Sequence, residues 1–336
     1  MPWALAFAPD GRIFVTERAG RIRVIERDFL RAEPWATLPV AADGEAGLMG
    51  IAIAPDFAST QAIYVVGTFP SSHGLVNRVI RLLDRAGRGV EPRVILDGIP
   101  AASFHAGDAI AFGPDGMLYI ATGDARQPGL AQDVRSLAGK ILRITADGRV
   151  PPDNPTAGSP VYATGVRNVQ GLAWDPASGQ LFATEHGPSG FPNERFRRNN
   201  DELNVVRPGG NYGWPRVAGE SGDARFVSPL AVWSPAIAPS GLAFYSGDEF
   251  PEWRGSLFAG CLRGAQLLRI SLARDSSAAG VWRVVSQSPI HRTTLGRLRA
   301  VAVAPDGHIY FTTSNRDGRG SPGRSDDRVF RIVRRR

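Results

Sequence analysis

Six short segments, far apart in the chain, hold the side chains best suited to chemistry: Asp43-Gly44-Glu45-Ala46-Gly47, Ser103-Phe104-His105-Ala106-Gly107-Asp108, Gly165-Val166-Arg167-Asn168-Val169-Gln170, Glu185-His186-Gly187-Pro188, Cys261-Leu262-Arg263-Gly264 and Gly296-Arg297-Leu298-Arg299. His105 is the best single candidate for a general base, because an imidazole can take a hydroxyl proton around neutral pH. Its neighbours Phe104, Ala106 and Gly107 favour a ring that is packed yet accessible. The alternative reading is a polar rim histidine. Arg167, Arg263, Arg297 and Arg299 form an anion-binding set if they converge. Individually each reads as a surface salt-bridge partner. Together at one mouth they would repel one another unless a polyanion neutralised them, so the expected ligand carries several carboxylates or phosphates.

The elements that must bring these segments together are visible as a repeat. An apolar run, a Pro-Asp-Gly-like turn and a second apolar run recur six times. The copies begin at Leu5-Ala6-Phe7-Ala8-Pro9-Asp10-Gly11, Gly50-Ile51-Ala52-Ile53-Ala54-Pro55-Asp56, Ile110-Ala111-Phe112-Gly113-Pro114-Asp115-Gly116, Gly171-Leu172-Ala173-Trp174-Asp175-Pro176, Gly241-Leu242-Ala243-Phe244-Tyr245 (degenerate) and Val301-Ala302-Val303-Ala304-Pro305-Asp306-Gly307. A third strand-like run follows each copy, and a fourth follows most, as at 34–40, 93–97, 229–233 and 282–286. Six copies over 336 residues is 56 residues per unit. Four short strands at that spacing predict an all-β, six-bladed β-propeller with four-stranded antiparallel blades, spanning 1–336 as a single domain. The last unit ends after its third strand, so its blade is expected to lack a closing strand, which would lie upstream of Met1. In such a blade the Pro-Asp-Gly turns lie on one face and the six chemistry-bearing segments on the other. Different polar side chains at equivalent positions then converge on one channel mouth.

Composition agrees. Hydrophobic residues make up 43% and charged residues 21%, with Gly 39 and Pro 26, which excludes a coiled coil and a disordered chain. No stretch approaches the roughly 18 apolar residues of a membrane helix, so no membrane insertion is expected. The net charge is +7, and Lys140 is the only lysine, so the basic side chains are almost all arginine, suited to bidentate carboxylate or phosphate binding. The basic residues do not alternate with stacking aromatics, so no nucleic acid is expected. The run Arg334-Arg335-Arg336 reads as a solvated end. A single cysteine, Cys261, allows no internal disulfide and no cysteine-based metal site. No signal peptide is visible; the chain opens directly into a strand-like pattern.

The ordered set of motifs resembles the soluble pyrroloquinoline-quinone (PQQ) dependent sugar dehydrogenases, the aldose sugar or glucose/sorbosone dehydrogenases, over nearly the whole chain. Its marks include Gly47-Leu48-Met49-Gly50, His105, Arg167-Asn168-Val169-Gln170-Gly171, Glu185-His186-Gly187-Pro188, Asp201-Glu202-Leu203-Asn204, Gly210-Asn211-Tyr212-Gly213-Trp214-Pro215 and Ile237-Ala238-Pro239-Ser240-Gly241. The resemblance implies a PQQ-dependent oxidoreductase that oxidises a hydroxyl of an aldose sugar or related alcohol. His105 would take the hydroxyl proton as hydride passes to the quinone, and Arg167 would stabilise the developing oxyanion. Glu45, His105, Arg167, Asn168, Gln170, Arg263, Arg297 and Arg299 would bind the tricarboxylate cofactor. A calcium ion held by the backbone carbonyls of Gly187 and Pro188 would polarise the quinone, and a structural calcium would use Glu202, Tyr212 and Ala218. An external electron acceptor, a monomer or dimer, and a periplasmic or secreted location are likewise implied.

Several positions depart from the family pattern. Glu45 stands where relatives carry a glutamine. Phe104 stands where glucose-oxidising relatives carry an aspartate that orients the base, and Asp108 where many have glycine. Ser234 and Ala236 flank Pro235 in the cofactor-wall segment, where those relatives have tryptophan and threonine. Residues 189–200 form a longer stretch than usual, expected to cover the site and change what enters it. Two other readings compete: a binding scaffold that has lost the chemistry, motivated by Glu45, Phe104 and Ala236, and a calcium-dependent lactonase-type hydrolase, for which Glu45, Asn168 and Glu202 make a poor ligand set.

Overall fold

The copies in blades 1, 3 and 6 build their turn in the same way. The amide of Gly11, Gly116 or Gly307 donates to the carbonyl three residues back, Ala8, Gly113 or Ala304. The preceding aspartate side chain accepts the next-but-one amide: Asp10 from Arg12 at 3.1 Å, Asp115 from Met117 at 3.1 Å, Asp306 from His308 at 3.0 Å. Aspartate's short side chain makes this local bond at no cost in reach, which is why the phrase recurs. Apolar residues on either side then pair as strands.

The computed structural model describes residues 1–196, 200–275, 280–292 and 294–334, and only the backbone of Asp108, His291 and Arg292. It is a six-bladed β-propeller of antiparallel sheets. Blade 1 holds Pro2–Phe7, Ile13–Glu17, Arg21–Glu26 and Phe29–Leu30. Blade 2 holds Leu48–Ile53, Ala62–Ser71, Gly74–Arg85 and Arg88–Pro100. Blade 3 holds Gly107–Phe112, Leu118–Thr122, Lys140–Ile144 and Val161–Thr164. Blade 4 holds Val169–Trp174, Leu181–Glu185, Asp201–Val206 and Ala231–Trp233. Blade 5 holds Pro239–Tyr245, Ser256–Cys261, Gln266–Arg274 and Trp282–Arg292. Blade 6 has three strands among the described residues, Leu298–Val303, Ile309–Thr313 and Val329–Ile332. The apolar run expected as a strand over 34–40 is reduced to Ala36–Thr37, which pairs with the third strand of its blade beside Phe29–Leu30. Arg334 pairs with Glu252 at 2.6 Å; Arg335 and Arg336 lie outside the described residues.

The innermost strands pack side by side into a closed ring, blade 1 against both blade 2 and blade 6. They line a central channel of about 340 Å³ walled by Gly50, Ile51, Gly171, Leu172, Gly241, Leu242, Ala300 and Val301. Second strands such as Leu118–Thr122 and Ser256–Cys261 are buried along their whole length, because a neighbouring sheet covers each face. The register of every innermost strand slips near its start, between Pro2 and Leu5, Leu48 and Ile51, Gly107 and Ile110, Val169 and Gly171, Pro239 and Leu242, and Leu298 and Val301. Such irregularities re-aim side chains. Here they fall at the channel mouth and turn Trp3, Gln170 and Arg299 toward it.

Candidate active site

His105 stands on the loop leading into blade 3, with a left-handed backbone at φ 57°. Strain of this kind persists only where the surroundings over-determine it. One determinant is Gly123: a Cβ there would lie 1.8 Å from the His105 carbonyl oxygen, so only glycine lets the loop lie this close. His105 Nδ1 lies 2.8 Å from Asp124 Oδ1, and Nε2 lies 2.8 Å from Arg167 Nη2. A guanidinium only donates. Nε2 is therefore the acceptor, and Nδ1–H donates to Asp124. The imidazole is held in the tautomer whose Nε2 lone pair faces the cavity.

Arg167, one per cent exposed, is gripped from all sides. Its Nε donates to Glu194 Oε1 at 2.7 Å, Nη1 to the His186 carbonyl at 3.1 Å, and Nη2 also to Ser189 Oγ at 3.1 Å. The guanidinium lies 5.5 Å over Trp214, whose indole N–H donates to Asp124 Oδ2 at 2.8 Å. Asp124, His105, Arg167 and Trp214 thus form a closed circuit. Asp124, the partner of Nδ1, comes from the loop after strand two of the same blade.

Asn168 and Gln170 follow on the same segment. Asn168 Oδ1 accepts from Gly107 N at 3.1 Å and from Gln170 Nε2 at 3.2 Å, and its amide nitrogen donates to Glu45 Oε2 at 3.4 Å. Glu45 also accepts the His105 amide at 3.0 Å and pairs with Arg319 at 3.0 Å. Burial alone would raise its pKa, but His186, Arg319 and His105 together hold it below the ordinary carboxylate value. The anion at position 45 is therefore paired with an arginine of blade 6.

Opposite stand the arginines of blades 5 and 6. Arg299 is buried, its guanidinium 3.6 Å over the Trp3 ring and its Nε donating to Ser314 Oγ at 3.2 Å. Arg297 Nε donates to Asp317 Oδ2 at 2.7 Å. Arg263 is exposed and has no ion-pair partner among the described residues. The chain's own carboxylates Glu194 and Asp317 thus neutralise Arg167 and Arg297, so the expectation that only a ligand could relieve the arginine set is too strong. Glu45, His105, Arg167, Asn168, Gln170, Arg263, Arg297 and Arg299 all line one cavity of about 250 Å³, together with His186, Asp201, Ala236 and Arg319.

Ala236 lines the cavity, whereas the Trp233 indole donates outward to Gln287 at 2.6 Å. The Asp108 side chain lies outside the described residues. Gly187 and Pro188 are buried in the loop between the cavity residues His186 and Ser189. The Gly187 amide donates to Asp201 Oδ1 at 3.1 Å, and Asp201 Oδ2 accepts the Ala238 amide at 2.7 Å, tying this loop to blade 5. Glu202 is buried; it accepts the Gly219 amide, next to Ala218, at 2.6 Å and Asn204 Nδ2 at 3.3 Å. Tyr212 lies buried nearby in sequence order, its hydroxyl donating to the Val205 carbonyl at 2.7 Å. Glu202 faces Glu185 across the strand pair. Burial and Glu202 push Glu185 well above the usual carboxylate range, and burial raises Glu202. Among the described residues no three or more His, Cys, Asp or Glu side chains are grouped as a metal site.

Asp124, Arg319, Phe191 and Glu194 are not among the residues singled out by sequence. Asp124 and Arg319 lie after strand two of their blades, the same loop position as Glu185–Pro188 and Cys261–Gly264, and applying that rule to every blade finds both.

The fold and site define a six-bladed propeller with a buried histidine, His105, in the wall of an arginine-lined cavity at one end of the channel. The family model "Glucose / Sorbosone dehydrogenase" matches residues 1–322, and the chain belongs to that family. It is 32% identical over 342 residues to an aldose sugar dehydrogenase of Escherichia coli, covering 94% of this chain and 88% of that protein. Its fold matches a putative oxidoreductase (glucose dehydrogenase) from Thermus thermophilus with a TM-score of 0.90 and 47% identity, covering 99% and 96% of the two chains. It matches the PQQ-bound form of an aldose sugar dehydrogenase from Streptomyces coelicolor with a TM-score of 0.85 and 40% identity, covering 98% and 93%.

Proposed function

We propose that this chain is a PQQ-dependent sugar dehydrogenase that oxidises a CH–OH group of an aldose or related alcohol. The single observation that carries the mechanism is the pair of contacts on His105, Nδ1 2.8 Å from Asp124 Oδ1 and Nε2 2.8 Å from Arg167 Nη2, from which Nδ1–H on Asp124 and an Nε2 lone pair follow. Nε2 takes the proton of the substrate hydroxyl, and Asp124 stabilises the imidazolium that results. For that, the hydroxyl must replace Arg167 Nη2 as the partner of Nε2. PQQ, when bound, supplies the hydride acceptor. Arg263, Arg297 and Arg299 would hold its carboxylates, Asn168 and Gln170 its polar edge, and Arg167 would present positive charge beside the base. The fit is chemical: the cavity is rich in guanidinium groups, and the glutamate in its lining, Glu45, already carries an arginine partner.

A calcium ion at the Gly187 and Pro188 carbonyls would act as a Lewis acid at this cavity. A second would bind at Glu202 with the carbonyls of Tyr212 and Ala218. The buried, mutually repelling Glu185 and Glu202 and the buried Asn204 Oδ1, which has no hydrogen-bond partner, form the oxygen-rich surroundings that suit a hard cation. The reading further includes an external electron acceptor, a monomeric or dimeric protein and a periplasmic or secreted location. No helix among the described residues is long and apolar enough to cross a membrane. The test is reconstitution of the protein with PQQ and calcium chloride and dye reduction against a panel of sugars and alcohols. Turnover of at least one aldose or alcohol, dependent on PQQ, is expected; none across the panel would reject the reading.

A further inference from the structure

Between the proposed calcium loop and the Asp201 strand, the chain folds back over the base. Glu194, whose side chain is one per cent exposed, accepts a hydrogen bond from Arg167 Nε at Oε1, where Nη2 also makes an ion pair, and the backbone amides of Ser189 and Phe191 at Oε2, at 2.9 and 3.0 Å. The Glu194 amide in turn donates to the Phe191 carbonyl at 2.9 Å. Asn193 Nδ2 donates to the Arg126 carbonyl at 2.8 Å, next to the loop that carries Asp124. The half-buried Phe191 ring is thereby set 5.6 Å from the His105 ring, with the Arg126 guanidinium 5.1 Å from its centroid. An aromatic face beside the base is a wall for a sugar's C–H face, and it narrows a cavity of about 250 Å³ that must also hold a cofactor.

We propose that Ser189–Phe196 is a strap across the active site in which Phe191 is a specificity-determining residue and Glu194 the positioning residue that fixes both Phe191 and Arg167. The strap restricts the site to slim substrates, monosaccharides rather than glycosidically extended sugars. The substrate half of this inference rests on the dehydrogenase reading; the anchoring half does not.

Two arms test it. In the PQQ- and calcium-loaded enzyme, Phe191→Ala should raise the ratio of kcat/KM for maltose over glucose about tenfold or more, the scale on which an apolar wall discriminates. PQQ affinity, read by tryptophan fluorescence titration, should stay within about twofold, since the ring touches the base and not the arginine wall. An unchanged ratio would overturn the specificity role. In the protein without cofactor, Glu194→Gln keeps the side-chain shape but has one acceptor oxygen where three hydrogen-bond donors converge on two. Amide exchange at 189–191 should quicken about tenfold or more while blade-core amides stay protected. Unchanged exchange would overturn the anchoring role. In the loaded enzyme the same variant should lower kcat on glucose about tenfold with little change in KM, because Arg167 loses its fixed orientation. An unchanged kcat would likewise contradict a positioning role. Wild-type enzyme that oxidises neither sugar would count against the dehydrogenase reading, and the exchange arm would then decide the strap alone.

Discussion

The two walls of the cavity are built on different principles. On the blade 3 and 4 side Asp124, His105, Arg167, Trp214 and Glu194 form a buried, closed network. On the blade 5 and 6 side the cations are in part left facing the cavity, with Arg263 exposed and Arg299 stacked on Trp3. A network with its bonds already made needs no reorganisation when substrate arrives, which suits proton transfer. A wall of cations open to the cavity suits capture of an anionic guest. The base side should therefore govern turnover and the arginine side affinity, and substitutions on each should move one quantity and spare the other.

The largest effect is expected at the base. His105→Ala should lower kcat by about 10³-fold or more, the range of a lost general base, and leave PQQ affinity nearly unchanged. Steady-state dye reduction beside a binding titration checks both halves. Next comes Asp124→Asn. Its amide would face Nδ1 and Trp214 Nε1 with one acceptor where two are needed, freeing the other tautomer. A fall in kcat of about 10²-fold with an unchanged KM is expected. A variant with wild-type kcat would show that the tautomer is set elsewhere.

On the other wall, Arg299→Ala should weaken PQQ binding by about 10- to 100-fold, the equivalent of one lost charge-assisted bond, while kcat at saturating PQQ stays close to wild type. Equal losses in kcat would erase the proposed division between the walls. The smallest effect belongs to Glu45→Gln. Removing this anion should tighten PQQ binding by about two- to fivefold. It should also change the acid response. Because the folded Glu45 is held below its ordinary pKa, its carboxylate adds stability that is complete above the normal carboxylate range and is lost as pH falls through the folded value. The rise in Tm from acid to neutral pH should accordingly be smaller in the variant, as differential scanning calorimetry would show.

The same contrast explains what could be read from sequence. The propeller was legible because its turn chemistry repeats, an aspartate accepting the amide two residues on in blades 1, 3 and 6. His105, Arg167, Arg263, Arg297 and Arg299 were legible because equivalent loop positions in a propeller open on one face. Their partners were less so. Asp124 lies 19 residues from His105 and meets it only because Gly123 lets the two loops lie against each other. Glu45 and Arg319 lie 274 residues apart and meet only because the ring closes. Glu194 sits in a stretch with no repeat to set its position. The bulges that aim Gln170 and Arg299 leave no mark in a pattern of apolar residues. Periodicity thus reports where loops emerge, and pairing across blades decides what the loops hold.

The central claim is that these unlike walls enclose one flat, triply acidic redox cofactor. Calorimetric titration of the cofactor-free protein with PQQ in the presence of calcium tests it most directly. Saturable binding of one PQQ per chain at micromolar concentration or below, weakened in Arg299→Ala and retained in His105→Ala, is the predicted result. No saturable heat at micromolar PQQ would contradict it.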